Sequence, residues 1–324
     1  MSEADGLLHA YALNSGGVAE TRDWTTLAEP VPARGYVWLH FDRSTEQAQT
    51  WLIEQSGLDP VVSEALLAPE TRPRSTRFET GILVILRAVN LNPGAEPEDM
   101  VSLRIWIEPK RIISLRSRRV MAVGDLLTRI ERGQAPKSPM GLLILLADRV
   151  AARIEPVIAE IQDALDDLEE QTAADEPSEL RERIGSVRRQ ASQLRRFIGP
   201  QRDALLHLST DDSSWIVNAD RQHLRETADD ITRFIETLNA AWERAAVMND
   251  ELTSRLAEHT NRRLYLLSIV TVVFLPLSFV TGLLGMNLGG IPGAQAGLGF
   301  TITVALLALL AGIELWLLRR FGML

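Results

Sequence analysis

Cysteine is absent from the 324 residues of the chain. Its absence excludes disulfide bonds, thiolate nucleophiles and every zinc or iron–sulfur site that is built on cysteine. The five histidines are scattered, and no two of them lie at a spacing typical of metal ligands. The sequence also contains no nucleophile elbow, Walker loop, dinucleotide-binding fingerprint or HExxH motif. We therefore expect neither an enzyme nor a bound cofactor.

Basic residues are fewer than acidic ones, with 34 Lys and Arg against 43 Asp and Glu and a net charge of −9. Nucleic-acid binding needs clustered Lys and Arg, so this balance argues against a nucleic-acid partner. An acidic chain instead suits a cation as its partner. The N-terminal segment begins acidic and has no apolar run long enough for a signal peptide, which predicts a cytosolic N-terminus.

Charge almost disappears from the last part of the chain. Between Leu264 and Leu318, Glu314 is the single Asp, Glu, Lys or Arg. This part contains two apolar runs, residues 264–284 and 300–318. As helices rising ~1.5 Å per residue, both would cross a hydrocarbon layer of ~30 Å. A buried hairpin in a soluble protein rarely contains two such runs in tandem, so we expect two transmembrane helices in a lipid bilayer.

Arginine pairs flank the two runs. Arg262 and Arg263 precede the first run, Arg319 and Arg320 follow the second, and the connecting loop has no Lys or Arg. The positive-inside rule therefore places both termini in the cytoplasm and the loop outside. Because Glu314 lies near the second pair in sequence, we interpret it as reaching the inner interface and forming a salt bridge there. A role in proton coupling is the alternative.

Glycine and proline are missing from residues 201–275. Loops rarely lack both, so this stretch predicts helix, interrupted once at the short polar side chains of residues 209–214. Apolar residues seven apart between Leu224 and Leu252 are typical of a helix that packs against other helices. We expect one helix over about 214–284, running from the cytosol into the membrane.

The N-terminal part of the chain alternates two kinds of pattern. β-branched and aromatic residues at 36–42, 78–90 and 100–117 predict strands, and the last two segments have hairpin-like interiors. Residues 45–56 and 60–68 predict helices. We therefore expect an α/β domain in this part of the chain.

Acidic residues crowd the next segment. Residues 139–198 have a helical pattern that is broken at 173–179, which predicts a helical hairpin. Eleven acids and one base fall between Glu155 and Glu182. They form either a solvated helix face or a surface that concentrates cations. Four arginines within residues 72–87 predict pairing with acidic helices of the same or a neighbouring subunit.

The expected fold class is an α/β cytoplasmic domain with a long stalk helix and two C-terminal transmembrane helices. The segments are a cytoplasmic α/β domain (1–135), a cytoplasmic acidic helical hairpin (136–212), a stalk helix (213–263), transmembrane helix 1 (264–284), an extracytoplasmic loop (285–299), transmembrane helix 2 (300–318) and a cytoplasmic tail (319–324).

A stripe of mostly small or polar residues follows one face of the first apolar run. Its members recur at steps of three and four, so they share a helix face. Two spans cannot enclose a hydrophilic path alone, so a pore would need an oligomer with one span from each subunit around an axis. Packing between helices in lipid explains the stripe equally well. The stripe consists of Asn261, Leu264, Ser268, Thr271, Leu275, Ser278 and Gly282.

The motif Gly285, Met286, Asn287, directly after the first of two C-terminal spans, resembles the CorA metal-ion transporter superfamily. The uncharged continuation at 288–293 and the segment GPQRD at 199–203 are similar to the ZntB zinc-transporter branch. This resemblance implies a CorA-like homopentameric funnel in the bacterial inner membrane, with the first span lining the pore. It also implies transport of zinc, with cadmium, nickel and cobalt as related substrates, coupled to a proton gradient.

Carried onto this chain, the resemblance implies that Asn287 forms an outer ring of carboxamides supported by Gly285 and Met286. Such a ring would bind the water shell of a divalent cation more weakly than carboxylates would. Asp250 and Asn261 continue the stripe and are candidates for an inner cation site. Two alternatives stay open, a magnesium or cobalt channel of the CorA type and a membrane-anchored cytoplasmic sensor that transports no ion.

Overall fold

The computed structural model describes residues 5–14, 16, 18–171, 177–286 and 297–322. The chain divides into two compact units, Met1–Asn249 and Asp250–Leu324. The first unit contains a mixed sheet and most of the helices, and the second contains the end of one long helix and a last helix.

Seven strands of the first unit form one sheet. The strand order is β2-β1-β3-β7-β6-β5-β4, and β3 pairs with β7 in parallel while the other neighbours are antiparallel. The carboxyl ends of β3, β5 and β7 therefore meet at the same end of the sheet. The strands are β1 (Leu7–Asn14), β2 (Ala19–Thr21), β3 (Gly35–Asp42), β4 (Arg74–Arg77), β5 (Ile82–Ala88), β6 (Val101–Glu108) and β7 (Arg111–Arg116).

Helices lie between β3 and β4 and after β7 in the sequence. Asp59 caps α2 by accepting from the Val61 N–H at 2.8 Å, and Ser138 caps α4 by accepting from the Gly141 N–H at 3.0 Å. The helices are α1 (Glu46–Thr50), continued by a π-helical turn (Trp51–Gln55), α2 (Pro60–Leu67), α3 (Met121–Glu131), α4 (Pro139–Ala152), α5 (Ile154–Gln171), α6 (Pro177–Ser209), α7 (Asn218–Leu284) and α8 (Gly299–Arg320).

The sheet is buried on both faces. On one face, Phe41 and Trp106 belong to a core cluster that also includes Leu52 of the π-helical turn and Leu66 of α2. On the other face, the Tyr36 hydroxyl donates to the carbonyl of Pro136 at 2.8 Å, just before α4. Near-continuous apolar strands are expected in a sheet that helices cover on both sides.

The two predicted hairpins are present, with shifted ends. The first pairs β4 with β5, so residues 78–81 form its turn rather than the start of a strand. Gly81 is required there, because an added Cβ would lie 2.4 Å from the Ile107 carbonyl oxygen. The second hairpin pairs β6 with β7 and turns at residues 109–110, as predicted.

The helical predictions need two corrections. The predicted helix over 139–198 ends once before the expected break, at Arg153, where α4 gives way to α5. The Arg153 guanidinium is bound there by Asp125 of α3 at 2.7 Å. The long helix begins at Asn218 instead of 214, because Asp211 accepts from the Ser213 N–H and holds the preceding residues in a turn.

Two expectations about charge pairing are refined by the observed contacts. Arg77 pairs with Asp211 and Asp212 in the loop after α6 rather than with an acidic helix. The acidic helix α5 instead pairs with α7, since Arg244 donates to Asp166 at 2.6 Å and lies 2.9 Å from Glu169.

Candidate functional site

The two C-terminal helices carry apolar side chains to the surface. The C-terminal part of α7 and the whole of α8 are each long and apolar enough to cross a membrane. Phe274 of α7 is 62% exposed and Phe300 of α8 is 82% exposed, which is rare for phenylalanine in a water-soluble protein. The two helices include residues 264–284 and 300–318, the apolar runs of the sequence.

Within the second unit, the apolar part of α7 has one partly buried face. Its members follow helical spacing, so they lie on one side of α7. α8 also has one partly buried face, which includes Thr303, Leu307 and Ala311. The partly buried residues of α7 are Ile269, Val273, Pro276, Leu277 and Val280.

The predicted stripe lies on the other side of α7. At ~100° per residue, Thr271 and Ser278 point about half a turn away from Val273 and Val280. All seven stripe residues are exposed. The structure therefore leaves the polar side of this helix uncovered within one chain.

Hydroxyl groups on the stripe are bonded back to their own helix. The Ser268 hydroxyl donates to the Leu264 carbonyl at 2.9 Å, and the Thr271 hydroxyl donates to the Leu267 carbonyl at 2.8 Å. Because each hydroxyl proton is used in this way, the free lone pairs of the two oxygens can accept hydrogen bonds from water. Such a surface suits a hydrated cation, whose bound waters present their protons outward.

The C-terminal end of α7 is closed by Gly285. Its N–H donates to the Thr281 carbonyl at 2.9 Å, and an added Cβ would lie 3.1 Å from the same oxygen. Met286 is exposed. Asn287 lies outside the described residues, as does the rest of the loop to residue 296. From sequence alone, Asn287 follows the last residue of α7 by three positions.

Asp250 and Asn261 are the proposed inner cation residues. Both are exposed on α7 and lie eleven residues apart, a spacing that returns to the same helix face. The Ser254 hydroxyl donates to the Asp250 carbonyl at 3.0 Å.

The expected salt bridge of Glu314 is wrong. Across the described part of the chain, Glu314 forms no ion pair, and its Oε2 is buried without a hydrogen-bond partner. The reason is helical geometry: at ~100° per residue, Arg319 and Arg320 point about 120–140° away from it. Glu314 instead shares the partly buried face of α8 with Leu307.

A preformed metal-ligand cluster is not found. Within residues 5–286 and 297–322, as far as the structure describes them, no three His, Asp or Glu side chains are grouped to hold a metal ion. The arrangement therefore offers hydrogen-bond acceptors and an exposed polar surface, rather than direct metal ligands.

Known proteins are similar to this chain in sequence and in fold. Residues 33–320 match the family described as CorA-like Mg2+ transporter protein. The divalent cation transporter CmaX of Pseudomonas aeruginosa is 41% identical over 319 residues, covering 97% of this chain and 96% of that protein. The zinc transport protein ZntB of Pectobacterium carotovorum is 35% identical over 316 residues, covering 97% and 95%. The solved structure of full-length CmaX has a TM-score of 0.85 at 40% identity and covers 98% of each chain.

These similarities extend through the α/β unit, the long helix and the two apolar helices. They confirm the resemblance based on the GMN segment and the expected fold class. The matched family is one of transporters, in agreement with the expectation that the chain is not an enzyme. The chain belongs to the CorA-like Mg2+ transporter protein family.

Proposed function

We propose that this chain is one subunit of a homopentameric divalent-cation transporter in the bacterial inner membrane, and that zinc is its main substrate. The observation that carries the proposal is the exposed stripe on α7, on the side opposite the partly buried face. One chain leaves the stripe without cover, and a ring of α7 helices would turn it toward a common axis. The similarity to CmaX and to ZntB supports divalent cations as the transported class.

The proposed path begins at a ring of Asn287 carboxamides. Neutral oxygens there would hydrogen-bond the water shell of an incoming ion and release it again, since weak binding permits conduction. Ser278, Thr271 and Ser268 would continue these hydrogen bonds, and Leu275 and Leu264 would form narrow apolar constrictions. Asp250 and Asn261 would receive the ion at the inner end.

The proposed orientation follows from the arginine pairs. Arg262 and Arg263 at the inner end of the first span, with Arg319 and Arg320 after the second, place both termini in the cytoplasm. The loop with Asn287 then lies outside the cell membrane.

We further propose that transport is coupled to a proton gradient and that Glu314 takes part. Its Oε2 is buried without a partner on the partly buried face of α8. An ionisable side chain inside a membrane helix is expensive unless it pairs or functions.

Ion flux into proteoliposomes tests the function. A fluorescent zinc indicator inside the vesicles should report zinc uptake that increases when a pH gradient is imposed. Magnesium flux without zinc flux would favour a channel of the CorA type. The absence of any flux, with a detergent-solubilised particle much smaller than five times 36.0 kDa, would favour a membrane-anchored sensor.

A further inference from the structure

An open cavity of about 840 Å³ lies at one end of the sheet in the first unit. It is formed where the carboxyl ends of β3, β5 and β7 meet, and α6 supplies another wall. Such a volume is typical of pockets for small molecules. Three acids and six arginines line it. The arginines are Arg43, Arg72, Arg87, Arg104, Arg118 and Arg196.

The inner arginines are held by carbonyl oxygens rather than carboxylates. Arg104 is only 1% exposed, and it donates to the Leu66 carbonyl at 2.6 Å. Arg87 donates to the carbonyls of Met100 and Thr71, both at 2.7 Å. In the portion of the chain that the structure describes, none of the six arginines forms an ion pair. Carbonyls position a guanidinium but do not neutralise its charge.

Burial and the repulsion between neighbouring arginines both lower the pKa values of the inner arginines. Burial lowers the pKa of Arg104 to about 10, and the charges of Arg43 and Arg87 act in the same direction. Burial also lowers the pKa of Arg87, assisted by Arg196 and Arg43 and opposed by Glu70. Gathering six arginines, one of them fully buried, beside only three acids is unfavourable, so stability does not explain this cluster.

Donors in this cavity also remain unused. The Nε atoms of Arg43 and Arg87 are buried and have no hydrogen-bond partner among the described residues. Buried polar atoms are nearly always satisfied, so these two arginines have donor capacity that no described residue uses. The hydroxyls of Thr71 and Ser102 at the wall are hydrogen-bonded to each other at 3.1 Å, which leaves one hydroxyl proton of the pair for another acceptor.

We propose that this cavity binds a ligand that carries two or more phosphate groups. Guanidinium groups bind phosphate oxygens through paired, charge-assisted hydrogen bonds, and several of them suit a ligand with more than one phosphate. The ligand would bridge the sheet and α6. The two are already joined by the backbone N–H of Arg87, which donates to Gln201 Oε1 at 2.7 Å. The proposal concerns the first unit and does not depend on the transported ion.

Calorimetry on the full-length protein in detergent tests this inference. The titrants are ATP, pyrophosphate and inorganic phosphate, with adenosine as the uncharged comparison, in buffer containing EDTA so that no metal carries the nucleotide. We expect saturable binding of ATP and pyrophosphate, weaker binding of phosphate and none of adenosine. If pyrophosphate binds as tightly as ATP, the phosphate groups alone are recognised.

Two neighbouring arginines of α6 provide matched variants. Arg196 lines the cavity, whereas Arg195 lies outside it and donates to Asn239 at 2.8 Å. Both are exposed, so neither Arg196→Gln nor Arg195→Gln should impair folding. Arg196→Gln should weaken ATP binding about tenfold, the usual scale for one charge-assisted hydrogen bond, and Arg195→Gln should leave it unchanged. Equal effects of the two variants, or no saturable binding to the unaltered protein, would overturn the proposal.

Discussion

The two units of this chain treat apolar side chains in opposite ways. In the first unit Trp38 and Trp106 are 0% and 1% exposed, and helices cover the sheet on both faces. In the second unit Phe274 and Phe279 are 62% and 68% exposed. One sequence is therefore adapted to two solvents, because exposed apolar surface is unfavourable in water and favourable in lipid.

Charge is distributed by the same division. The first unit pairs charges such as Arg244 with Asp166, and it concentrates unpaired arginines in a single cavity. The apolar helices of the second unit contain one carboxylate, Glu314. We therefore expect changes in the second unit to alter ion flux without altering the stability of the first, and changes in the first unit to do the reverse.

The largest effect is expected at Asn287, which the proposal makes the main polar group at the entrance. Asn287→Ala should reduce zinc flux about tenfold or more, since hydrogen bonds to a charged guest are worth ~1.5–3 kcal/mol and ~1.4 kcal/mol is a factor of ten. The measurement is the initial rate of zinc uptake into proteoliposomes. Thermal unfolding of the first unit should be unchanged.

The matched control is Gln295→Ala, which removes another carboxamide from the same loop. Its flux should stay close to that of the unaltered protein. If both variants lose flux equally, the loop as a whole is required and the specific ring of Asn287 is wrong. If neither loses flux, the proposed entrance is elsewhere.

Much of the fold was predictable, because its signals are local. The hairpin turns at 78–81 and 109–110, the helices after β3 and the long helix all follow from period, turn residues and missing Gly or Pro. Strand β1 was missed, since LLHAYALN has none of the β-branched residues that mark a strand. Its side chains are ordered by the sheet itself, where Tyr11 stacks on Trp38.

The candidate site was likewise predictable only where its signals are local. Helical spacing predicted that the stripe shares one face, and the exposed side of α7 agrees with it. The arginine cavity could not be predicted, because Arg43, Arg104 and Arg196 come from distant segments that only the strand order brings together. Glu314 was misread because closeness in sequence was taken for closeness around the helix.

The second largest effect is expected at Thr271, where chemical labelling distinguishes a water-lined stripe from a lipid-facing surface. Because the chain has no cysteine, single cysteines can be introduced without a background. Thr271→Cys should react quickly with a charged, water-soluble methanethiosulfonate, and the modification should block zinc flux. Val270 lies at nearly the same depth but about 100° around the helix. The Val270→Cys variant should therefore react slowly, and its zinc flux should be unchanged by the reagent.

Equal reaction rates at Thr271→Cys and Val270→Cys would mean that the stripe mediates helix packing in lipid. Mass spectrometry of the labelled protein measures both rates directly. Adding zinc at high concentration should slow labelling at Thr271→Cys, because an occupied path excludes the reagent.

A smaller and more selective effect is expected at Glu314. Glu314→Gln keeps the size of the side chain and removes its ionisable group, so the stimulation of zinc uptake by a pH gradient should be lost. Uptake driven by a zinc gradient alone should continue at a similar rate. The measurement is the ratio of the two uptake rates, and an unchanged ratio would exclude Glu314 from coupling.

The smallest effect is expected for the ion pairs between α5 and α7. Arg244→Gln removes contacts with Asp166 and Glu169, which are 63% and 48% exposed, so the loss in free energy of unfolding should be ~0–1 kcal/mol. Thermal unfolding of the purified protein should show a decrease of a few degrees at most, and less at high salt. Zinc flux should not change. Arg233→Gln, whose pair with Asp230 lies within α7 alone, is the matched control. A large loss of flux in Arg244→Gln with normal stability would instead mean that the acidic helix acts on the ion directly, joining the two units that are otherwise expected to respond separately.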